Sequence, residues 1–191
     1  EKAAAVAEAV LRTSFDGTYG RIICIGYAVD DGKPWTVRGD EPAMLAEFFS
    51  DISDAPSLPY RGADGGRAST DQDVVFVGHN ITGFDLRFLW QRAIINSVKM
   101  PAVLAKACRA RPWDASVFDT MVQWHPDKDK RISLDRLCKA LGVPTSKGDM
   151  DGSKVYEAWK AGEIERIAAY CAGDVTATRE CWRRMTFAGA A

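Results

Sequence analysis

The clearest hydrophobic pattern in the chain lies near its C-terminus. This pattern is a stripe of apolar residues at helical spacing. Asp174 falls on the stripe, and Tyr170 precedes it by one helical turn, so the two side chains project from the same side. A carboxylate among apolar neighbours needs a partner, because burying an unpaired charge costs several kcal/mol. Backbone hydrogen bonds or a metal ion would each meet that need. The positions that recur at helical spacing, and so predict one buried face of a helix, are Ile164, Ile167, Cys171, Thr178 and Cys181.

Two nearly continuous apolar runs predict buried strands. The first is Arg21 to Val29, and a hairpin turn then leads to an antiparallel partner at Pro34 to Arg38. The second is Val74 to Gly78, which runs through a Gly-containing turn into a helical pattern that carries Asn80 and Asp85. In α/β folds, polar functional groups gather at the C-terminal ends of strands. The second strand therefore leads into a candidate site.

The remaining segments predict helices and one long loop within a single domain over residues 1–191. Asp119 is expected to cap the turn that follows it. Residues 51–73 are rich in Pro, Gly, Ser and Asp and predict a flexible surface insertion. The predicted helices are Glu1 to Thr13, Glu41 to Ser50, a helix capped by Ser133 and ended by Gly142, and Lys154 to Lys160.

Composition indicates an ordinary globular domain with a cytoplasmic location. The 191 residues are 47% hydrophobic and 27% charged, with a net charge of −1, so no bulk basic field indicates a nucleic-acid partner. The stretch from Lys99 to Arg111 is either a basic stripe or a solvated helical face. Five cysteines without a C-x-x-C pair favour reduced thiols over a disulfide or zinc framework. No apolar run reaches membrane-spanning length.

Asp85 and Asp174 are the carboxylates that point to chemistry. Carboxylates that converge at a strand end suit hard cations such as Mg²⁺ or Mn²⁺. Two such ions about 3.5–4 Å apart would clamp a phosphodiester from both sides. His79 and His125 are only weak acid–base candidates, and the chain has neither a G-x-S-x-G motif nor a phosphate-binding loop.

The motifs around these carboxylates resemble those of a known enzyme family. Asn80 to Asp85 resembles the second motif, N-x-x-x-F-D, of DEDD-type 3′–5′ exonucleases, and Tyr170 to Asp174 resembles their third motif in its tyrosine form, Y-x-x-x-D. The intervening chain is similar to stand-alone exonucleases related to the proofreading domain of family-B DNA polymerases. The supporting stretches are Ser133 to Leu137, Leu141 to Pro144 and Asp149 to Val155.

The resemblance implies an α/β fold of the RNase H-like type, with a mixed β-sheet flanked by helices. It implies removal of nucleotides from the 3′ end of single-stranded DNA, RNA not being excluded, with two divalent ions, Mg²⁺ or Mn²⁺. Asp85 and Asp174 would bind metal, and Tyr170 would orient the attacking water, since a tyrosine with a pKa of about 10 is a poor base at neutral pH. The motif implies substrate contacts from Asn80 and Phe84, and His79, the residue just before the motif, is expected to contact the substrate as well.

One family feature is missing from the chain. The first motif, D-x-E on the first strand, does not occur in the 191 residues. We expect this motif and its strand to precede Glu1 in the native protein. Two alternatives stay open if the motif is truly absent. The chain would be a catalytically impaired nucleic-acid-binding module on the same fold, or a scaffold domain in which Asp85 and Asp174 are structural caps.

Overall fold

The strands form two separate pairs. A computed structural model describes residues 13–53, 74–127, 130–145, 148 and 150–188. In the first pair, β1 (Cys24–Tyr27) runs antiparallel to β2 (Trp35–Arg38). In the second, β3 (Phe76–Gly78) runs parallel to β4 (Val117–Asp119). The helices found in these ranges are α1 (Glu41–Ser53), α2 (Asp85–Ile95), α3 (Ala102–Cys108), α4 (Thr120–Trp124), α5 (Leu134–Leu141), α6 (Val155–Lys160) and α7 (Ile164–Met185).

The predicted antiparallel hairpin is confirmed, although its strands are shorter than the apolar runs. Ile25 faces Val37 across the pair, and both side chains are buried. The ladder begins only at Cys24, since the backbone N–H of Ile22 donates instead to Glu41 Oε1 at 2.7 Å. Ile25 is the one fully buried residue of β1, and Gly26 on the opposite face packs closely on α7. Both faces of β1 are therefore covered as predicted, although its other residues are only partly buried. Within the described residues, β1 pairs only with β2.

The ends of the helices follow the local signals in most places. The Ser133 hydroxyl accepts a hydrogen bond from Arg136 N and starts α5, and Gly142 ends this helix in the left-handed conformation with φ of 63°. Helix α1 continues three residues beyond the predicted end at Ser50, because Ile52 extends its buried apolar face. A short 3₁₀ turn, Gly152–Lys154, precedes α6. The rest of the predicted insertion, 54–73, and residues 1–12 of the predicted first helix lie outside the described residues.

Helix α7 connects the parts of the fold. It packs on both strands of the hairpin, on β3, and on α4, α5 and α6. Ala177 and Cys181 are buried against α5 in one core cluster, whereas Ile167 is buried against α6 in another. The predicted amphipathic helix is therefore confirmed, and its buried face brings Asp174 towards β3.

The arrangement confirms a mixed α/β class, with small sheets and several helices. All five cysteines are free thiols. None of the helices in the described ranges is both long enough and apolar enough to cross a membrane.

Candidate active site at the ends of the parallel strands

A fully buried carboxylate organises the C-terminal ends of β3 and β4. Asp119, the last residue of β4, caps α4 and accepts hydrogen bonds from Met121 N at 3.1 Å and Val122 N at 3.4 Å. It also accepts from Asn80 N at 2.9 Å, from Thr82 N at 3.0 Å and from the Thr82 hydroxyl at 2.6 Å. The predicted cap is confirmed. In addition, the same side chain holds the loop that leads from β3 to α2.

The loop after β3 turns sharply before α2 begins. Asn80 has a φ of 61°, in the left-handed region that asparagine tolerates better than most residues. Its carbonyl accepts hydrogen bonds from Gly83 N at 3.1 Å and Phe84 N at 2.9 Å. This turn and the hydrogen bonds from two of its N–H groups to Asp119 determine where α2 begins, at Asp85.

Asp85 lies in the first turn of α2, where the helix dipole favours a negative charge. The residue has an exposed surface. Even so, the surrounding protein atoms desolvate its carboxyl group and raise its pKa to about 7, and the negative charges of Asp119 and Asp174 act in the same direction. The three carboxyl groups are thus close enough to influence one another. A bound cation would favour the ionised form of Asp85.

Asp174 and Tyr170 meet as the helical spacing predicts. Burial raises the pKa of Tyr170, and the charge of Asp174 and a hydrogen bond to its carboxylate raise it further. The phenol therefore stays protonated at neutral pH and serves as a donor. Asp174 also influences residues on other elements, since its charge acts on His79 and Asp85.

His79 is held by the protein through both ring nitrogens. Nε2 lies 2.9 Å from the carbonyl oxygen of Ile132, which can only accept, so we assign the proton to Nε2. Nδ1 lies 2.9 Å from the Thr120 hydroxyl and accepts from it in the neutral ring. Burial lowers the pKa of His79, in keeping with that neutral form. A substrate contact of His79 stays a prediction, and it would have to use the ring carbons.

An aromatic cluster lies immediately before Asp85. The ring of Phe84 is 5.6 Å from that of Phe88 and 6.4 Å from that of Phe15, centroid to centroid. Phe15 is 78% exposed, so its ring is available beside Phe84. No sequence pattern points to Phe15, because it belongs to a distant segment with no motif of its own. His125, the other histidine, ends α4 as its C-cap.

The donor set fits part of a site for a hard cation. Asp85 and Asp174 offer carboxylate oxygens, the ligands that Mg²⁺ and Mn²⁺ prefer. Across the ranges that the structure describes, however, no three His, Cys, Asp or Glu side chains converge in a way that could hold a metal ion. These two carboxylates therefore account for only some of the ligands that such an ion needs.

Carboxyl groups gathered where parallel strands end are typical of α/β enzymes. A family model described as a predicted 3′–5′ exonuclease related to the exonuclease domain of PolB matches residues 68–190. The match covers more than half of the chain, and the chain belongs to this family. No curated protein and no solved structure matches it significantly. Family membership supports a hydrolase with exonuclease activity, and every residue of the candidate site except Phe15 lies inside the matched range.

Proposed function

We propose that this protein is a metal-dependent 3′–5′ exonuclease of the tyrosine DEDD form. It would have an RNase H-like fold and hydrolyse phosphodiester bonds at the 3′ end of single-stranded DNA. The observation that carries the proposal is the meeting of Asp85, Tyr170 and Asp174 from two distant segments. Tyr170 bonds to Asp174, and the charge of Asp174 reaches Asp85. A scaffold role does not require that meeting.

The proposed roles follow from the chemistry of each side chain. Asp85 and Asp174 would hold divalent ions, Mg²⁺ or Mn²⁺, which when bound neutralise phosphate charge and make water more acidic. The protonated Tyr170 hydroxyl would hold a water molecule in line with the terminal phosphate. Phe84 would pack against the terminal base, because an aromatic ring accepts any base face. Asn80 would contribute polar contacts from the turn.

The second candidate is a nucleic-acid-binding module without catalysis. Two observations favour it. The chain contains no D-x-E, and the described residues hold no cluster of three potential metal ligands. The two candidates differ in one measurable respect, namely whether phosphodiester bonds are broken when divalent ions are supplied.

The deciding experiment is degradation of a 5′-labelled single-stranded DNA by the natural full-length protein, with Mn²⁺ and with chelator. We expect a ladder that shortens from the 3′ end with Mn²⁺ and an intact strand with chelator. Asp174→Asn should abolish the ladder while leaving thermal unfolding nearly unchanged. An RNA of the same sequence, run in parallel, tests the choice of sugar. Binding without cleavage under every metal condition would refute the exonuclease and support the binding module.

A further inference from the structure

A strongly basic segment directly follows Asp85. Between Leu86 and Trp113 the chain has no acidic residue, so a formal charge of +6 in this segment contrasts with a total of −1 for the whole protein. One of these charges is neutralised internally, because Arg92 forms a buried ion pair with Glu41 at 2.6 Å. The basic residues of the segment are Arg87, Arg92, Lys99, Lys106, Arg109 and Arg111.

The other five basic side chains are exposed, and two of them lie over tryptophan rings. The Arg109 guanidinium is 4.9 Å from the ring centroid of Trp90, and that of Arg111 is 5.9 Å from the ring of Trp113. Trp113 is 72% exposed, which is unusual for so large an apolar ring. We call Trp90, Arg109, Arg111 and Trp113 the Arg–Trp surface.

The two arginines of this surface keep their charge available. Among the described residues, neither guanidinium forms an ion pair with a carboxylate. The nearby Asp114 carboxylate accepts a hydrogen bond from the backbone N–H of Arg111, at 2.8 Å. A cavity of about 320 Å³ opens beside Trp90 and is lined largely by apolar groups, Ile94 and Met100 among them, with Lys99 at its edge.

The Arg–Trp surface lies near the helix end that carries Asp85. The Cys108 thiol donates to the carbonyl oxygen of Leu86 at 3.3 Å, so the end of α3 lies against the first turn of α2. Arg109 follows directly and reaches Trp90, which lies about 1.4 turns along α2 from Asp85. A strand leaving the carboxylates in this direction would pass from the candidate site onto arginine and tryptophan side chains.

We propose that the Arg–Trp surface binds the single-stranded nucleic acid a few nucleotides upstream of its 3′ end. This inference rests on the proposed function and adds the path of the strand to it. Guanidinium groups would contact successive phosphates, and the exposed Trp113 ring would stack on a base, the combination that single-strand binding requires. An acidic protein partner would use the arginines but gives no reason for the exposed Trp113 ring.

The test uses fluorescein-labelled dT12 and the full-length protein with Ca²⁺ replacing the catalytic ion, read by fluorescence anisotropy at several salt concentrations. The variants are Arg109→Gln/Arg111→Gln and, separately, Trp113→Ala. The matched control is Lys160→Gln, because the Lys160 ammonium lies 5.4 Å from the Tyr156 ring outside the basic segment. Separately, with Mn²⁺ in place of Ca²⁺, hydrolysis of the p-nitrophenyl ester of thymidine 5′-monophosphate is measured on all four proteins. This substrate is too short to reach the Arg–Trp surface.

The double variant should bind dT12 about tenfold more weakly than the parent. The slope of log K against log salt, which is negative, should become shallower by about 1.4 because two phosphate contacts are lost. Trp113→Ala should weaken binding about tenfold with an unchanged slope, and Lys160→Gln should stay within about twofold of the parent. Hydrolysis of the ester should be equal in all four. Unchanged affinity and slope in the double variant would overturn the proposal, as would failure of the parent to bind dT12 while hydrolysing the ester. If the parent hydrolyses nothing but the double variant still loses affinity and salt dependence relative to it, this surface is supported and the exonuclease is refuted.

Discussion

The hairpin packs closely on α7 at Gly26. A methyl group built on Gly26 would lie 2.6 Å from Cys171 Sγ and 3.3 Å from both the Cys171 carbonyl oxygen and Val175 Cγ2. Carbon atoms in proteins do not approach sulfur so closely. Gly26→Ala must therefore turn the Cys171 side chain aside or push β1 away from α7, the helix that carries Tyr170 and Asp174.

The loss of folding free energy caused by Gly26→Ala should fall within the range known for overpacked cores. Inserting a methyl group into a well-packed site costs about 1–3 kcal/mol. Rotation of the Cys171 thiol would relieve only the shortest contact, because the backbone carbonyl cannot rotate away. We therefore expect about 2–3 kcal/mol for Gly26→Ala. For a chain of this size that corresponds to a decrease in melting temperature of roughly 4–12 °C.

The assay is urea and thermal unfolding of Gly26→Ala, Cys171→Ala and the double variant. Removing Sγ should relieve part of the clash, so the double variant should be more stable than additivity predicts, by about 1 kcal/mol. Gly152→Ala is the matched control, since a methyl group there meets no atom within 4 Å. An unchanged melting temperature for Gly26→Ala, or strict additivity in the cycle, would show that the close packing of β1 on α7 is not real.

Four further variants test other parts of the structure. Glu41→Gln should lower the free energy of unfolding by about 3–5 kcal/mol, because it leaves the largely buried Arg92 guanidinium without its carboxylate partner. Burial acts to raise the pKa of Glu41, but hydrogen bonds from Arg92 and a backbone N–H lower it overall. In the parent, ionised Glu41 should therefore contribute its full stabilisation at pH values above the ordinary glutamate pKa of about 4.3. This contribution should be lost as the pH falls through the lowered pKa of Glu41, whereas Glu41→Gln should show no such loss. Urea unfolding from pH 6 to 3 checks this. Asp119→Asn should cost about 2–4 kcal/mol in urea unfolding, since one carboxylate oxygen becomes a donor facing N–H groups. Tyr170→Phe should lower kcat for the labelled strand about 100-fold at nearly unchanged melting temperature. Gly142→Ala should cost about 1 kcal/mol in thermal unfolding, because its φ of 63° strains any side chain.

Sequence reasoning worked where the signal was local. The hairpin, the cap at Ser133, the stop at Gly142 and the face of α7 all depend on residues within a few positions of one another. The cap at Asp119 is predictable in the same way, because the N–H groups that it accepts from are two and three residues further along the chain. The hydrogen bonds of Asp119 to Asn80 and Thr82 are not predictable, because they span 39 and 37 positions along the chain and no spacing rule reports them.

Three other features depended on tertiary contacts. Strand β4 has only three residues and forms through its parallel pairing with β3, so its own sequence carries little strand signal. The structure gives His79 two partners from separate segments, Thr120 and Ile132, whereas sequence reasoning considered it for acid–base or substrate roles. The sequence from Lys99 to Arg111 fits both a basic stripe and a solvated helical face, and only tertiary contacts place two of its exposed arginines over tryptophan rings.

The candidate site depends on two anchors that lie on different elements and share no residue. One is Asp119, which fixes the loop before α2 and with it the start of the helix at Asp85. The other is the close packing of Gly26 on Cys171, which fixes the depth of α7 and with it Asp174. Because β3 contacts α7 directly, a displacement of the loop at Asp119 or of α7 at Gly26 changes the distance between the Asp85 and Asp174 carboxylates. The short motifs around Asp85 and Asp174 contain the two carboxylates of the candidate site, but the relative position of these carboxylates depends on Asp119 and Gly26, which lie outside both motifs.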